Sequence, residues 1–243
     1  MRDNLRRYRA IRDAVTPWYP GKPTGMVARH LTTLAALISG MVASRSTPLP
    51  HIARHVPDGT KPESRVKRFA RWIRHDHSTA EVYFIPYAEV LVGHVALQTL
   101  VLVIDGSVVG RGGVALRLHV VSKGRALPLV WQVRKGKKGH FPEDLPIALV
   151  AQVHDLIPAG ARVVLLGDGA CDGARLQHTV QEYRWSSVVR TGSTITVEWD
   201  GARFRCDTVG ACIKPGTPVA LTDVRVTKEA YGPLRLICCW AKG

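Results

Sequence analysis

The sequence predicts an α/β protein with a mixed sheet, which follows an all-α region and precedes a β-rich module. Apolar residues recur at helical spacing through the first part of the chain, which indicates helices with one buried side. Two uninterrupted apolar runs, 100–104 and 163–166, are typical of central strands buried on both faces. Alternating apolar and polar residues after the first run and near the end of the chain indicate strands with one exposed face. We therefore divide the chain into regions 1–78, 79–191 and 192–243.

The composition is that of a folded, strongly basic protein. The 243 residues are 46% hydrophobic and 22% charged, which excludes a disordered tail and a coiled coil. No run approaches about 18 uninterrupted apolar residues and no signal peptide is recognisable, so we expect no membrane span and a cytoplasmic location. Lys and Arg number 34 against 19 Asp and Glu, a net charge of +15. This balance favours a nucleic-acid partner, with a basic but otherwise ordinary enzyme as the alternative.

The cysteines form no CxxC pair and have no spacing typical of a zinc site. There are five of them: Cys171, Cys206, Cys212, Cys238 and Cys239. An odd number of cysteines without a signal peptide indicates a reducing compartment. We therefore expect free thiols that behave as small apolar side chains.

The all-α region is expected to bind DNA through the helix that follows Pro57-Asp58-Gly59. Residues 60–63, Thr-Lys-Pro-Glu, have the form of a capping box and predict a helix from there to about 74. Five cations flank the apolar side of this helix: Arg65, Lys67, Arg68, Arg71 and Arg74. They repel each other unless an anion faces them, and a helix–turn–helix lying against DNA phosphates supplies that anion. A solvated basic face is the alternative.

The central region is predicted to contain a mixed five-strand sheet. After a linking helix at about 79–98, the first apolar run and the next two strands form an antiparallel meander. Pro128 places the third strand at the edge, because proline donates no ladder hydrogen bond. A helix around 143–157 leads to the second apolar run, and a further helix and strand complete a β-α-β unit.

Two aspartates, Asp105 and Asp168, follow the two apolar runs, and each is followed by glycine. If the runs are neighbouring parallel strands, both carboxylates emerge at one edge of the sheet and repel each other unless a cation binds there. Such oxygen ligands suit Mg²⁺ or Mn²⁺, and two ions about 4 Å apart support phosphoryl transfer. Basic residues of the loop 134–140 are then candidates for holding phosphates: Lys135, Lys137, Lys138 and His140. In the alternative, each aspartate merely caps a strand or the following turn.

Other patterns lack the context that their chemistry needs. The segment 110–115 fits a loose GxGxxA, but the next residues alternate as a strand instead of opening a helix, which argues against a nucleotide-binding loop. His75-Asp76-His77 contains metal-binding residue types, but its polar surroundings indicate a solvated turn. Asp172 is expected to cap the helix that follows it.

Several motifs occur together in one order along the chain. In the all-α region they are Leu37-Ile-Ser-Gly40, Ser44-Arg-Ser46 and Ser64-Arg-Val-Lys-Arg-Phe69. In the central region they are Val103-Ile-Asp-Gly-Ser107, Lys138-Gly-His-Phe141, Leu165-Leu-Gly-Asp-Gly169 with Asp172-Gly173, and Val189-Arg-Thr191. In order and spacing this set resembles the DDE transposases of bacterial insertion sequences, the insertion-sequence-four group in particular. The likeness covers nearly the whole chain.

The resemblance implies an RNase H-like catalytic core, with a DNA-binding region before it and a β-rich insertion after the fifth strand. It implies that Asp105 and Asp168 are the first two members of a catalytic triad that cuts transposon ends and joins them to new DNA with two metal ions. Arg190 joins the expected DNA-binding residues. The expected partner is double-stranded DNA, both the terminal repeats and the target, bound by a homodimer in the bacterial nucleoid.

This sequence departs from the family in one respect, which concerns the third carboxylate of the catalytic triad. In the family it is a glutamate on a helix after the β-rich insertion, and this sequence ends within the segment that resembles the insertion. Glu182, Glu198 and Glu229 lack the required context, so we expect a truncated chain that cannot complete catalysis alone. A non-catalytic DNA-binding derivative that inhibits the full-length enzyme is the main alternative. A further alternative is a stand-alone metal-dependent nuclease of RNase H fold, which requires a glutamate within about 6 Å of both Asp105 and Asp168.

Overall fold

The computed structural model describes residues 2–19, 21, 23–110, 112–136, 141–214, 216–227 and 229–239. The chain forms two compact units, 1–94 and 95–243. The first unit therefore extends beyond the expected boundary at residue 78 and takes in most of the linking helix. The second unit contains both predicted sheets.

The described part of the first unit is entirely helical. Its helices are α1 (Arg2–Val15), α2 (Gly25–Ser44), α3 (Leu49–Arg54), α4 (Pro62–Ile73), α5 (Ala80–Tyr83) and α6 (Ile85–Val95), the last of which ends at the unit boundary. One core cluster joins α2, α3 and α4 around the fully buried Phe69 and Ile52. Gly40 makes the approach of α2 to α3 possible, because a Cβ at that position would overlap Ile52.

The helix α2 is long and apolar enough to cross a membrane by length and composition alone, with a mean hydropathy of 1.4. It contacts α1, α3 and α4. Leu31, Ala35 and Leu37 are buried in those contacts, as residues of the core helix in a globular unit are. The predicted apolar face of this helix is therefore only partly its packing face, because Met41 and Val42, which the same spacing includes, are exposed.

Two predicted helix boundaries are wrong in this unit. Lys61 stands at the N-cap of α4 without a side-chain bond to the helix, and Thr60 instead donates its hydroxyl to Asp58 at 2.5 Å. The capping box is thus replaced by a side-chain cluster in the preceding turn. The single linking helix is divided into α5 and α6 at Phe84, two residues before Pro86.

The second unit is an α/β structure with a mixed five-strand sheet, as predicted. Its first strands and helices are β1 (Leu100–Val109), β2 (Gly113–Ser122), β3 (Arg125–Lys135), α7 (Asp144–His154), β4 (Val163–Gly167), α8 (Ala174–Glu182) and β5 (Ser186–Val189). The strand order is β3-β2-β1-β4-β5. The first three strands pair antiparallel, whereas β4 is parallel to β1 and β5 is parallel to β4. The third strand lies at the edge, with Pro128 beside a bulge, which confirms its predicted position.

The helices α7 and α8 pack on one face of this sheet. The chain crosses from β3 to β4 through α7 and from β4 to β5 through α8, each time toward the same edge of the sheet. Right-handed connections therefore place both helices on the same face, where they contact each other. Alternate residues of β1 on that face, Leu100, Leu102 and Ile104, are almost fully buried. The residues between them point to the opposite face and are half-buried or exposed.

A smaller four-strand sheet completes the second unit. Its elements are β6 (Thr196–Trp199), β7 (Ala202–Arg205), α9 (Cys206–Cys212), β8 (Val219–Val226) and β9 (Tyr231–Cys238), with strand order β7-β6-β8-β9. The β-rich module after residue 191 is therefore as predicted. The short helix α9 was not predicted, because its seven residues are too few to show an apolar period.

Candidate functional site

Asp105 and Asp168 occupy matching positions on neighbouring parallel strands. The last register pair of β1 and β4 is Ile104 with Gly167, so the next residue of each strand is an aspartate. The backbone of Asp168 stays extended, with φ −91° and ψ −176°, so the alternation of the strand continues through it. Register partners of parallel strands point to the same face, and neighbouring strands lie about 4.8 Å apart. Both aspartates are exposed on the sheet face opposite α7 and α8.

Asp105 lies within β1 and not at its end, which corrects the sequence prediction. The strand β1 continues to Val109 in pairing with β2, whereas β4 stops at Gly167. The difference arises because the hairpin with β2 requires a longer strand than the apolar run alone suggests. Asp105 therefore stands at the point where the parallel part of the sheet ends, beside the loop that contains Asp168.

Asp168 also has a structural role. Its Oδ1 accepts a hydrogen bond from the backbone N–H of Ala170 at 3.0 Å and caps the 3₁₀ turn Gly169–Cys171. This is the turn-capping role that the sequence left open as an alternative. The bond fixes the carboxylate and leaves its second oxygen available to a cation.

The loop after β4 is held by polar contacts on both sides. Asp172 accepts a hydrogen bond from the hydroxyl of Thr191 at 2.7 Å, and Gln177 donates to the carbonyl of Cys171 at 3.1 Å. Gln177 in turn accepts from Ser187 at 2.7 Å. The loop that carries Asp168 is thereby tied to α8 and to the strand β5.

The predicted capping role of Asp172 is wrong. Gly173 stands at the N-cap of α8, and Glu143 reaches across from the segment before α7 to accept from the backbone N–H of Leu176 at 3.0 Å. The N-terminal amides of a helix attract a carboxylate from any part of the chain, and Asp172 is already bonded to Thr191.

Cys171 is surrounded by negative charge. Burial is the main cause that raises the pKa of its thiol to about 12, and the charges of Asp168, Asp172 and Asp105 contribute to the same rise, in that order. The buried thiol therefore stays protonated at neutral pH. A divalent cation at this edge of the sheet has charge of the opposite sign to all three.

Arg117 and His119 on β2 border the aspartates on the same face. Arg117 is the register partner of Asp105 and donates from Nη2 to Ser107 at 2.6 Å, while its Nε is buried with no partner among the described residues. His119 is the partner of Val103. Burial lowers the pKa of His119 and Arg117 lowers it further, against upward influences from a hydrogen bond with the Val103 backbone and from Asp105. The strict alternation in β2 could have indicated both residues once the register was known.

Arg190 completes a row at the carboxyl ends of the parallel strands. Its N–H donates to the carbonyl of Gly167 at 2.9 Å, so the residue continues the register of β5 beside Asp168. Arg190 is exposed. The structure thus brings a predicted DNA-contacting cation to the same edge as the predicted catalytic carboxylates.

The structure says less about the other residues of the central region that the sequence predicted to hold phosphates. Lys135 is exposed and is the last residue of β3, so it extends the strand instead of lying in the predicted loop. Lys137, Lys138 and His140 lie outside the residues that the structure describes.

The basic helix α4 has two different sides. Lys67, Arg71 and Arg74 are exposed at a spacing of four and three residues, which places them in one stripe along the helix. Arg65 and Arg68 point toward the preceding turn, where both bind Asp58. Only the exposed stripe is oriented to meet a macromolecular anion.

Arg65 is a structural residue, which corrects its predicted role in DNA binding. Its guanidinium is 8% exposed and donates to the Asp58 carboxylate at 2.5 Å and to the Ala53 carbonyl at 2.8 Å, with a further bond to the Asp58 carbonyl. Burial by itself raises the pKa of Asp58, but hydrogen bonds from Thr60, Arg68 and Arg65 outweigh it and lower the pKa to about 2. Contact with a DNA phosphate would require Arg65 to break these bonds.

The two aspartates fit a divalent cation only in part. They supply two hard oxygen ligands in register, as Mg²⁺ and Mn²⁺ require, and the remaining positions suit water and phosphate oxygens. The described residues contain no group of three or more His, Cys, Asp and Glu that could hold a metal ion. Glu182, Glu198 and Glu229 therefore do not join the pair, and the condition set for a stand-alone nuclease is not met in this part of the chain.

No protein-family model matches the chain, and a search of curated proteins also finds no match. Function is therefore inferred from the residues themselves and from the geometry that brings them together.

Proposed function

We propose that the chain is a DDE-type DNA transposase of RNase H-like fold, which binds double-stranded DNA and carries two of the three carboxylates for phosphoryl transfer. The observation that carries this proposal is the register of Asp105 and Asp168 on β1 and β4. Adjacent aspartates on one face are unfavourable without a cation, and they are the arrangement that a metal-dependent phosphoryl transferase needs.

The sheet supports the RNase H-like assignment. The expected order was a three-strand antiparallel meander followed by two parallel strands with helical crossovers, and the sheet has that order and those directions. The β-rich module follows the fifth strand, where the resemblance requires an insertion.

Asp105 and Asp168 are the residues that would hold Mg²⁺ or Mn²⁺. When bound, the ion lowers the pKa of a water or hydroxyl nucleophile and neutralises charge on the phosphate. The hydrogen bond from Ala170 orients Asp168, and the neighbouring Arg190 and Arg117 supply positive charge where DNA phosphates would lie. Arg117 is held in place by its bond to Ser107.

Metal binding tests the carboxylate pair directly. We expect Asp105→Asn and Asp168→Asn each to weaken Mn²⁺ binding about 10-fold or more, measured by electron paramagnetic resonance of free Mn²⁺. Glu182→Gln removes an exposed carboxylate at the end of α8 and is the matched control. Equal Mn²⁺ affinity in all three variants and the parent chain would remove the basis of the proposal.

DNA binding tests the exposed stripe of α4. We expect Lys67→Ala, Arg71→Ala and Arg74→Ala each to weaken binding of a fluorescent random-sequence duplex and to reduce the slope of log K against log salt by about 0.9. Arg203→Ala removes the same charge from an exposed position on β7 and should leave the slope unchanged. A slope that responds equally to all four variants would show nonspecific attraction to a basic protein.

A non-catalytic DNA-binding derivative is the second candidate function. It is favoured by the lack of a third metal-binding carboxylate among the described residues. We expect the 243-residue chain with Mn²⁺ to bind, but not nick, a supercoiled plasmid carrying the DNA that flanks its coding sequence. Nicking that disappears in Asp105→Ala would instead establish catalysis by this chain alone.

A further inference from the structure

Two cysteines of the β-rich module lie beside each other although they are 32 positions apart in sequence. The Sγ atoms of Cys206 and Cys238 are 3.7 Å apart. Cys206 is the first residue of α9 and is half-buried, and Cys238 is the last residue of β9 and is 7% exposed. Both are free thiols.

Backbone hydrogen bonds hold the start of α9 in this position. The N–H of Cys206 donates to the carbonyl of Ile195 at 3.0 Å, and the N–H of Asp207 donates to the carbonyl of Ser193 at 2.7 Å. Cys238 is fixed from the other side by its pairing with Val219 in β8. Backbone hydrogen bonds at Cys206 and strand pairing at Cys238 therefore hold the two residues next to each other.

A metal site does not explain the pair. The described residues offer no group of three or more His, Cys, Asp and Glu around any point that could bind a metal, and two thiols alone do not complete a zinc site. A disulfide requires an S–S distance of about 2.0 Å, so the sulfur atoms need to move by less than 2 Å, which small side-chain rotations can supply.

We propose that Cys206 and Cys238 are a reversible oxidation site, which closes an intramolecular disulfide when the protein meets a peroxide. The proposal does not depend on the proposed transposase function. The sulfur of Cys206, which is the more accessible, attacks one peroxide oxygen, and the O–O bond breaks to give a sulfenic acid and one water. The sulfur of Cys238 then attacks the sulfur of Cys206, the S–O bond breaks, and a second water leaves. Two thiols are oxidised by two electrons, and one hydrogen peroxide is reduced to two waters.

The disulfide would join the two edges of the smaller sheet. The helix α9 contacts β7 at one edge and β9 at the other, and the bond would fasten its first residue to the end of β9. The closed loop runs from 206 to 238. Such a loop restricts the unfolded chain, so oxidation is expected to raise the melting temperature of the chain by at least about 3 °C.

The reaction is expected to be slow at neutral pH. Burial, and after it the hydrogen bond with Cys238, raise the pKa of Cys206 to about 11, so little thiolate is present at pH 7. The rate of disulfide formation should therefore increase with pH up to about 11. A slow reaction suits a site that responds to sustained oxidative stress and stays reduced in an ordinary cytoplasm.

The test is peroxide oxidation of the full chain, followed by alkylation, tryptic digestion and mass spectrometry. We expect an intact mass lower by about 2 Da, a cross-linked peptide joining Cys206 to the Cys238 segment, and full reversal by dithiothreitol. Arg225, Lys228 and Arg235 lie between the two cysteines, so trypsin separates their peptides unless they are linked.

Two neighbouring substitutions make the assignment specific. Cys238→Ser should abolish the cross-link, whereas Cys239→Ser, one residue away and exposed, should preserve it. If the parent chain shows no cross-link, but only sulfinic adducts or intermolecular dimers through Cys212 and Cys239, the proposal is wrong. The peptide map of the parent chain decides this even if Cys238→Ser fails to fold.

Discussion

Replacing Asp58 by asparagine should destabilise the N-terminal helices, because one carboxylate holds two arginines of α4. Asp58 binds Arg65 at 2.5 Å and Arg68 at 2.8 Å, and Arg65 is 8% exposed. Asparagine keeps the shape but removes the charge, so the Arg65 guanidinium remains buried beside a neutral partner. Burying a charge without its counter-ion is costly.

The size of the effect follows from the pKa of Asp58. It is lowered from the ordinary 3.8 to about 2 in the folded chain, which corresponds to about 2.4 kcal/mol of stability at neutral pH. The Asp58 side chain keeps 32% of its surface exposed, so solvent screening reduces this figure to about 1.5 to 2 kcal/mol. We expect Asp58→Asn to lower the free energy of opening of α3 and α4 by that amount.

Native-state hydrogen exchange of the full chain is the appropriate assay, because it reports the opening free energy of α3 and α4 separately from the second unit. Asp13→Asn is the matched control. Asp13 binds Arg12 at 2.9 Å, but the two side chains are 64% and 47% exposed, so its loss should cost less than about 0.5 kcal/mol. Equal effects of the two substitutions would refute the inference that burial makes the Asp58 cluster important.

The pH dependence of the same amides gives an independent check. A carboxylate whose pKa is lowered by folding stabilises the folded state above its unfolded pKa and loses that contribution as the pH falls through the folded pKa. Protection of α4 should therefore decline between about pH 4 and pH 2, and the decline should be smaller in Asp58→Asn. An identical profile in the variant would assign the decline to other carboxylates.

Two further substitutions test the packing around the candidate site. Gly106→Ala should destabilise the second unit by about 1 to 3 kcal/mol in urea denaturation, because a Cβ there overlaps the ring of Phe141. The control Gly192→Ala places its Cβ in open space and should cost less than about 0.5 kcal/mol. Similar costs of the two substitutions would show that Phe141 moves away freely. Glu143→Gln should weaken the cap at Leu176 and reduce hydrogen-exchange protection in the first turn of α8 by about 1 kcal/mol, and unchanged protection would mean that the bond is not formed in solution.

Much of the site geometry was accessible from the sequence, because strand periodicity is local. The apolar runs before Asp105 and Asp168 predict two buried strands, and alternation alone places each aspartate on the face away from the most buried residues. The pairing of β1 with β4 was only a condition of the sequence analysis, and the structure supplies it. The length of β1 could not be predicted from the apolar run, because it depends on how far β2 pairs with β1 beyond that run.

The amino-acid sequence by itself determined the α/β class, the helical region before the sheet, and the positions of the two aspartates, since each depends on patterns within a few residues. Only the tertiary structure decided that Arg65 is buried while Lys67 on the same helix is exposed. The side of α4 that carries Arg65 faces the turn at Asp58, whose carboxylate binds the guanidinium in place of water. The tertiary structure also decided that Glu143 caps α8 and that Cys206 meets Cys238. These contacts join residues far apart in sequence, and packing of whole elements, which no local pattern encodes, brings them within bonding distance.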